Sequence, residues 1–258
     1  MKLATWNVNS MKARLPRVIS WLQDQAPDVV CFQETKQHNE LLDVVAFSQM
    51  GYEIAHHGEG RWNGVAIASR VGLEDVRAGF SAEADAQGAR LLAATCGGIR
   101  VHSVYVPNGR SLESEHYLLK LQWLAALREL LDSRCDAAKP VAVLGDFNIA
   151  PQDHDVWDIA EFEGLTHVSE GEREALAHLM EFGLVDAVDY LHKEEQVFTW
   201  WDYRAGAFHR NHGMRIDLAL VTQVLAAGLS SAGSDRDSRK GDKPSDHAAV
   251  LIEVAFGD

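Results

Sequence analysis

Residues 141–151, from Val141 to Pro151, read VAVLGDFNIAP, and the fold follows from how they are parsed. Val141 to Leu144 are four apolar, β-prone residues, a short buried strand. Gly145 then lets the backbone turn. Asp146 and Asn148 flank Phe147, so in extended backbone both side chains leave on the same face. Pro151 stops any regular continuation. A carboxylate and an amide side by side at the end of a buried strand suit a site that deprotonates and positions a water. The same residues also suit an Asx-rich turn after a core strand. The rest of the chain decides between the two.

With 258 residues, 47% of them hydrophobic and 24% charged, the chain can bury one sizeable α/β core. A single domain over residues 1–258 is expected. No apolar run approaches the roughly 18 residues of a membrane span, so no membrane partner is expected. The N-terminal MKLATWNVNS has a strand pattern, without the apolar region of a signal peptide. Cys31, Cys96 and Cys135 are odd in number and widely spaced. That favours reduced thiols over disulfides or zinc, and a cytoplasmic location. The net charge of −14 argues against a polyanionic partner until its distribution is seen. Residues 151–195 hold thirteen acidic and two basic residues, leaving only −3 for everything else. A basic face elsewhere is compatible with that balance, with salt-sensitive reach.

Other strand-like runs also end in polar groups. Leu3 to Trp6 runs into Asn7 and Asn9. Leu15, Val18, Ile19 and Leu22 then predict an amphipathic helix with Pro16 near its start. Val29 to Phe32 is continuously apolar, as in a strand covered on both faces, and is followed by Glu34. Glu34 is either a hard-metal ligand or a surface partner of Lys36. Tyr52–His57 and Gly64–Ser69 read as neighbouring strands. Residues 90–96 and 99–106 read as a hairpin across Gly97-Gly98. Tyr105, Asn108 and Arg110 follow, as phosphate contacts or as an ordinary Pro-Asn-Gly turn.

Ser114 caps a helix whose stripe is Tyr117, Leu118, Leu121, Leu124, Leu127 and Leu131. Ser169 and Glu172 fit a capping box. Phe198 to Tyr203 is an aromatic cluster suited to the core or to stacking on a sugar or base. Met214 to Val221 is a strand carrying Asp217 amid apolar residues, where a charge needs a partner. Residues 230–243 read as an exposed loop. His247, just before a last strand from Ala248 to Val254, is the natural partner for Asp217. Polar strand ends at positions 7, 34, 105, 146, 217 and 247 are most simply explained by convergence on one edge of a sandwich.

In chain order, WNVNSMKAR, FQETK, YVPNG, GDFNIAP, FTWWDYR, MRIDLALV and KPSDHAAV resemble the exonuclease III-type apurinic/apyrimidinic endonucleases of the endonuclease/exonuclease/phosphatase superfamily. The resemblance covers essentially the whole chain. It implies an α/β, deoxyribonuclease-I-like fold, a four-layer sandwich of two packed, mostly antiparallel sheets flanked by helices. It also implies Glu34 as principal ligand of Mg²⁺ or Mn²⁺, with Asn7, Asn9, Asp246, Asp146 and Asn148 near the ion. Asp146 would act on the attacking water and Asn148 orient it. Tyr105, Asn108 and His247 would stabilise the phosphate, and Asp217 would orient His247. Asn108, Arg110, Trp200, Met214, Arg215 and Ile216 form the implied DNA-binding set.

The function so implied is a DNA repair nuclease. Such an enzyme would cleave the phosphodiester 5′ to an abasic site in double-stranded DNA and trim 3′ ends, and a monomer is expected. A lipid or inositol phosphate phosphodiesterase is the rival within enzymes. A silent DNA-binding relative is the rival outside them, and it would not need Glu34, Asp146, Asn148 and His247 together. Several positions depart from the family pattern. Asn9 stands where some relatives have Asp, Ser10 replaces a common Gly, and Met214 replaces a bulky aromatic. Residues 151–172 leave room for only a small DNA-wedging loop. No N-terminal basic or redox extension is expected.

Overall fold

The computed structural model describes residues 1–80, 88–193 and 195–256. Twelve strands are described: β1 (Lys2–Asn7), β2 (Val29–Gln33), β3 (Glu53–His57), β4 (Val65–Ser69), β5 (Glu74–Ala78), β6 (Leu91–Cys96), β7 (Ile99–Tyr105), β8 (Val141–Asp146), β9 (Leu184–Asp186), β10 (Asp217–Thr222), β11 (Leu229–Asp235) and β12 (Ala249–Val254). They form two six-stranded sheets, ordered β11-β12-β1-β2-β4-β3 and β5-β6-β7-β8-β10-β9. Each sheet is antiparallel except for one central parallel pair, β1 with β2 and β7 with β8. The main helices are α1 (Met11–Gln25), α2 (Val44–Ser48), α3 (Glu115–Arg134) and α4 (Glu170–Met180).

Three apolar clusters define four layers. Leu3, Val29, Cys31, Ala142, Leu144 and Val250 meet between the sheets. Val30 and Phe32 pack outward against Val18, Leu22 and Phe47 of α1 and α2. Val141 and Val143 pack outward against Trp123, Leu127 and Leu179 of α3 and α4. Alternate residues of β2 and β8 therefore enter different buried layers, which is why both strands read as continuous apolar runs. Gln33 Nε2 donates to Ser103 Oγ (3.2 Å), and Ser103 Oγ donates to the Phe32 carbonyl (3.2 Å), a polar tie between the sheets. No described helix is long and apolar enough to cross a membrane.

This is the four-layer sandwich expected, with local differences. Helix α1 begins at Met11 because Ser10 caps it, so Pro16 lies inside the helix. On α3, Leu118 is exposed, while Lys120 and Trp123 are buried. Facing α4 as well as the sheet widens the buried stripe beyond the leucines. Residues 230–235, read as part of a loop, belong instead to an edge strand, Leu229–Asp235, paired with β12. Its Ser- and Gly-rich sequence lacks the usual strand pattern, and a bulge between Leu229 and Ser231 interrupts the alternation. Gly97 and Gly98 both have positive φ, +54° and +84°, as the tight hairpin between β6 and β7 requires.

Gly145 does not turn the chain. It lies within β8, where a Cβ would come 1.9 Å from the Val104 carbonyl oxygen on β7. The requirement there is close approach of two backbones.

The topology gathers the polar strand ends. Parallel β1 and β2 end together at Asn7 and Gln33, and parallel β7 and β8 end together at Tyr105 and Asp146. Antiparallel β10 starts at Asp217, directly opposite Asp146. Antiparallel β12 runs beside β1 and starts just after His247. One edge of the sandwich therefore receives all six.

Candidate active site

Glu34, Asp146 and His247 each present a ligand-type atom, and the three atoms lie within 4.8 Å of one another. Asn7 Nδ2 donates to Glu34 Oε1 (2.8 Å) and to Asp146 Oδ2 (2.9 Å), tying the two sheets' carboxylates together. The Asn7 Oδ1 accepts from the Asn9 amide, which fixes that orientation. Lys36 Nζ lies 2.7 Å from Glu34 Oε2 and 2.6 Å from Asn9 Oδ1. The surface-type pair foreseen for Glu34 and its place in a central cluster therefore coexist. Asp246 sits to one side, accepting from Asn9 Nδ2 (2.9 Å) and Trp200 Nε1 (3.1 Å).

His247 is held from behind. Its Nδ1 donates to Asp217 Oδ2 (2.8 Å), leaving Nε2 3.8 Å from Asp146 Oδ2. Burial opposes a charge on His247, but Asp217, Asp146 and Asp246 outweigh it and raise its pKa to about 10. Burial raises Asp146 to about 7, with Asp217 and Glu34 adding and His247 opposing. Burial also raises Tyr105 well above the usual phenol range, reinforced by Glu34 and Asp146, so its hydroxyl stays a donor. The Arg90 guanidinium lies 4.6 Å from the centre of the Tyr105 ring.

Asn148 does not continue an extended strand. Its φ is +52°, its amide N–H donates to Asp146 Oδ1 (2.9 Å), and Phe147 is buried between them. The Asx turn and the site are thus the same structure. Asn148 Nδ2 donates to the Val106 carbonyl, and Asn148 Oδ1 accepts from Asn108 Nδ2 (2.9 Å). Asn9, Ser10, Glu34, Arg110 and Asn148 all have positive φ. Such a concentration of left-handed, non-glycine backbone is typical of sites whose surroundings over-determine them.

Residues 4–247 match the Endonuclease/Exonuclease/phosphatase family. The chain belongs to this family. An exodeoxyribonuclease of Bacillus subtilis is 32% identical over 258 residues, covering 98% of this chain and 99% of that protein. A 3′ phosphatase from Neisseria, bound to product DNA hairpin, superposes with a TM-score of 0.95 at 39% identity, covering 99% of this chain and all of the other. An AP endonuclease from Archaeoglobus fulgidus superposes with a TM-score of 0.96 at 37% identity, with the same coverage.

Within this member of the family, the residues expected to meet DNA divide. Met214 and Ile216 are buried with Ala150 and Val156, and Trp200 packs on that cluster beside Asp246. Arg110 is exposed next to Asn108. Arg215 differs. It is 2% exposed, with Nε 2.6 Å from Asp155 Oδ1 and Nη1 2.5 Å from Asp186 Oδ2. It precedes β10, which starts at Asp217 and not at Met214 as the sequence suggested, and its pairing with Asp155 and Asp186 holds it in a buried ionic cluster, so it presents no free cation to a ligand. Phe198 and Trp201 are buried in the core, while Tyr203 is exposed and accepts from Arg14.

Sequence reasoning passed over Lys36, except as a surface partner, and also Lys120 and His167. Lys120 interrupts a leucine stripe, and that interruption was the one available signal.

Proposed function

We propose that this chain is a DNA repair nuclease of the exodeoxyribonuclease III kind. It hydrolyses the phosphodiester 5′ to an abasic site in double-stranded DNA, leaving a 3′-hydroxyl, and trims 3′ ends. What supports this most directly is the meeting of Glu34, Asp146 and His247 at one edge, with Asp217 behind the histidine.

The donor set suits a hard divalent ion. Two carboxylates and amide oxygens favour Mg²⁺ or Mn²⁺ over zinc. Glu34 and Asp146 would hold it, with Asn7, Asn9, Asn148 and Asp246 ordering the surrounding shell. When bound, it stabilises negative charge developing on the phosphate. Asp146, with its raised pKa, accepts the proton of the attacking water, and Asn148 orients that water. His247, kept cationic by Asp217, and Tyr105, kept protonated, donate to the phosphate oxygens as charge accumulates. Asn108 and Arg110 contact the backbone. Trp200, Met214 and Ile216 wall a pocket for a sugar without its base, whose unstacking costs less than that of an intact nucleotide. The enzyme works as a single domain and a monomer. Its free cysteines suit the cytoplasm.

The test is a duplex carrying one abasic analogue, incubated with Mg²⁺ and with EDTA, beside a duplex with a blocked 3′ end. Incision 5′ to the analogue in Mg²⁺ alone is expected. Hydrolysis of an inositol phosphate with both duplexes untouched would overturn the proposal.

A further inference from the structure

We propose that the buried Lys120–Glu172 ion pair, together with His167, is a positioning device that fixes Asn108 and Asn148. This rests on the reading of those asparagines as site residues. Lys120 of α3 and Glu172 of α4 are both fully buried and paired. Burying two charges is costly, and apolar residues of similar volume usually serve stability as well. The remaining bonds of this pair lead to the site. Lys120 Nζ donates to the Asn148 carbonyl (2.6 Å), and His167 Nδ1 donates to the same oxygen (2.5 Å). Glu172 Oε1 accepts from Thr166 Oγ1 (2.7 Å) and from the His167 amide (3.0 Å). Thr166 Oγ1 also lies 3.2 Å from the Asn108 carbonyl. Both asparagines are therefore gripped through their main chains by one cluster, and their side chains bond to each other.

The backbone shows why a grip is needed. Asn148 and His167 both have positive φ, +52° and +80°. Strained residues persist only where their surroundings hold them. Burial and the Lys120 charge keep His167 neutral, with a pKa lowered to about 4. Its Nδ1–H then serves as a fixed donor. None of Lys120, Glu172 and His167 touches the reacting atoms, so each acts through Asn148 or Asn108.

The experiment uses His167→Ala and the charge-removing pair Lys120→Met with Glu172→Leu in the full chain. Glu129→Ala, at an exposed position of α3, serves as a surface control. Incision of the abasic duplex is resolved into kcat and KM, and thermal midpoints are recorded alongside. In folded variants kcat should fall by up to about 10²-fold, as for displacement of a catalytic group, with KM unchanged. In an Asn148→Ala background, His167→Ala should cost nothing further. Wild-type kcat in folded variants, or multiplying losses of His167→Ala and Asn148→Ala, would overturn the proposal. If the double variant does not fold, His167→Ala and its cycle decide alone. Side-chain amide NMR of Asn-labelled protein separates this proposal from the function itself. His167→Ala should move the Asn108 and Asn148 signals even if the wild type cuts no DNA, and unmoved signals count against the device.

Discussion

At Asp146, one carboxylate oxygen accepts from Asn7 and faces His247, while the other caps the Asn148 amide. Asp146→Asn keeps the shape of the side chain and one of its two accepting oxygens but removes the base. We expect kcat to fall by about 10²-fold or more, with duplex binding retained in a gel-shift measurement. Glu34→Gln should move the Mg²⁺ activation curve to higher concentration, with recovery at high Mn²⁺, because one charge leaves a hard-ion site. An unmoved curve would take Glu34 out of the metal site. Met214 is buried, so Met214→Ala opens a cavity costing roughly 2–5 kcal/mol. Incision of abasic against intact duplex must therefore be compared at matched folded fraction, and selectivity should relax. Arg215→Ala is expected to act through stability. Removing one partner of a buried ion pair costs about 3–5 kcal/mol, here leaving Asp155 and Asp186 unneutralised. A lowered melting temperature with an unchanged salt dependence of DNA binding is the expected result. Arg110→Ala should instead flatten that salt dependence by about one counterion.

Strand β8 shows what an element contributes. Its alternate residues fill the inter-sheet layer and the layer under α3, so its position is fixed on both faces. Gly145 allows β7 to lie close against it, and Tyr105 and Asp146 then emerge side by side. Gly145→Ala should force the strands apart, lowering the melting temperature and moving Asp146 from His247. Activity should fall further than the folded fraction does, and equal losses would show that the strand spacing does not set the site. The sequence marked this glycine as a turn because Gly before Asp usually is one. Only the neighbouring strand reveals the steric demand. Likewise β11 and β5 lie at sheet edges, where a bulge breaks the register of β11 and all five residues of β5 are exposed, so neither shows the alternation of a half-buried strand.

Across the whole molecule, buried histidines set the acid limit of stability. Burial lowers His102 to about 3 and His56 to about 4. The unfolded chain takes up protons near pH 6.5 while these folded sites do not, so stability falls as pH drops below 6.5. The loss approaches about 1.4 kcal/mol per pH unit for each such histidine. His247 works in the opposite direction. Its raised pKa contributes stability that is full below 6.5 and lost as pH rises through about 10. Melting temperature measured from pH 4 to 10 should therefore peak near pH 6.5, and His102→Gln should soften the acid side. An acid limb unchanged in that variant would place the protonation elsewhere.

Local sequence was enough to establish the chemistry of the strand ends and the class of fold. Apolar runs long enough for strands, each followed by Asn, Glu, Tyr or Asp, are local patterns, and their order along the chain carried the family resemblance. Asp217 and His247 could be paired from sequence because a charge in an apolar run must find a partner. Which charges are free to meet a ligand depends instead on how distant segments pack together. Arg215 looks in sequence like other basic residues, and Lys120 differs only in interrupting a leucine stripe. One is consumed by Asp155 and Asp186 and the other by Glu172, partners 60, 29 and 52 positions away. Burial and pairing depend on how layers stack, and no local pattern records that. The left-handed turn at Asn148 was settled in the same way, by carbonyl partners on α3 and at His167 that the residue itself does not announce.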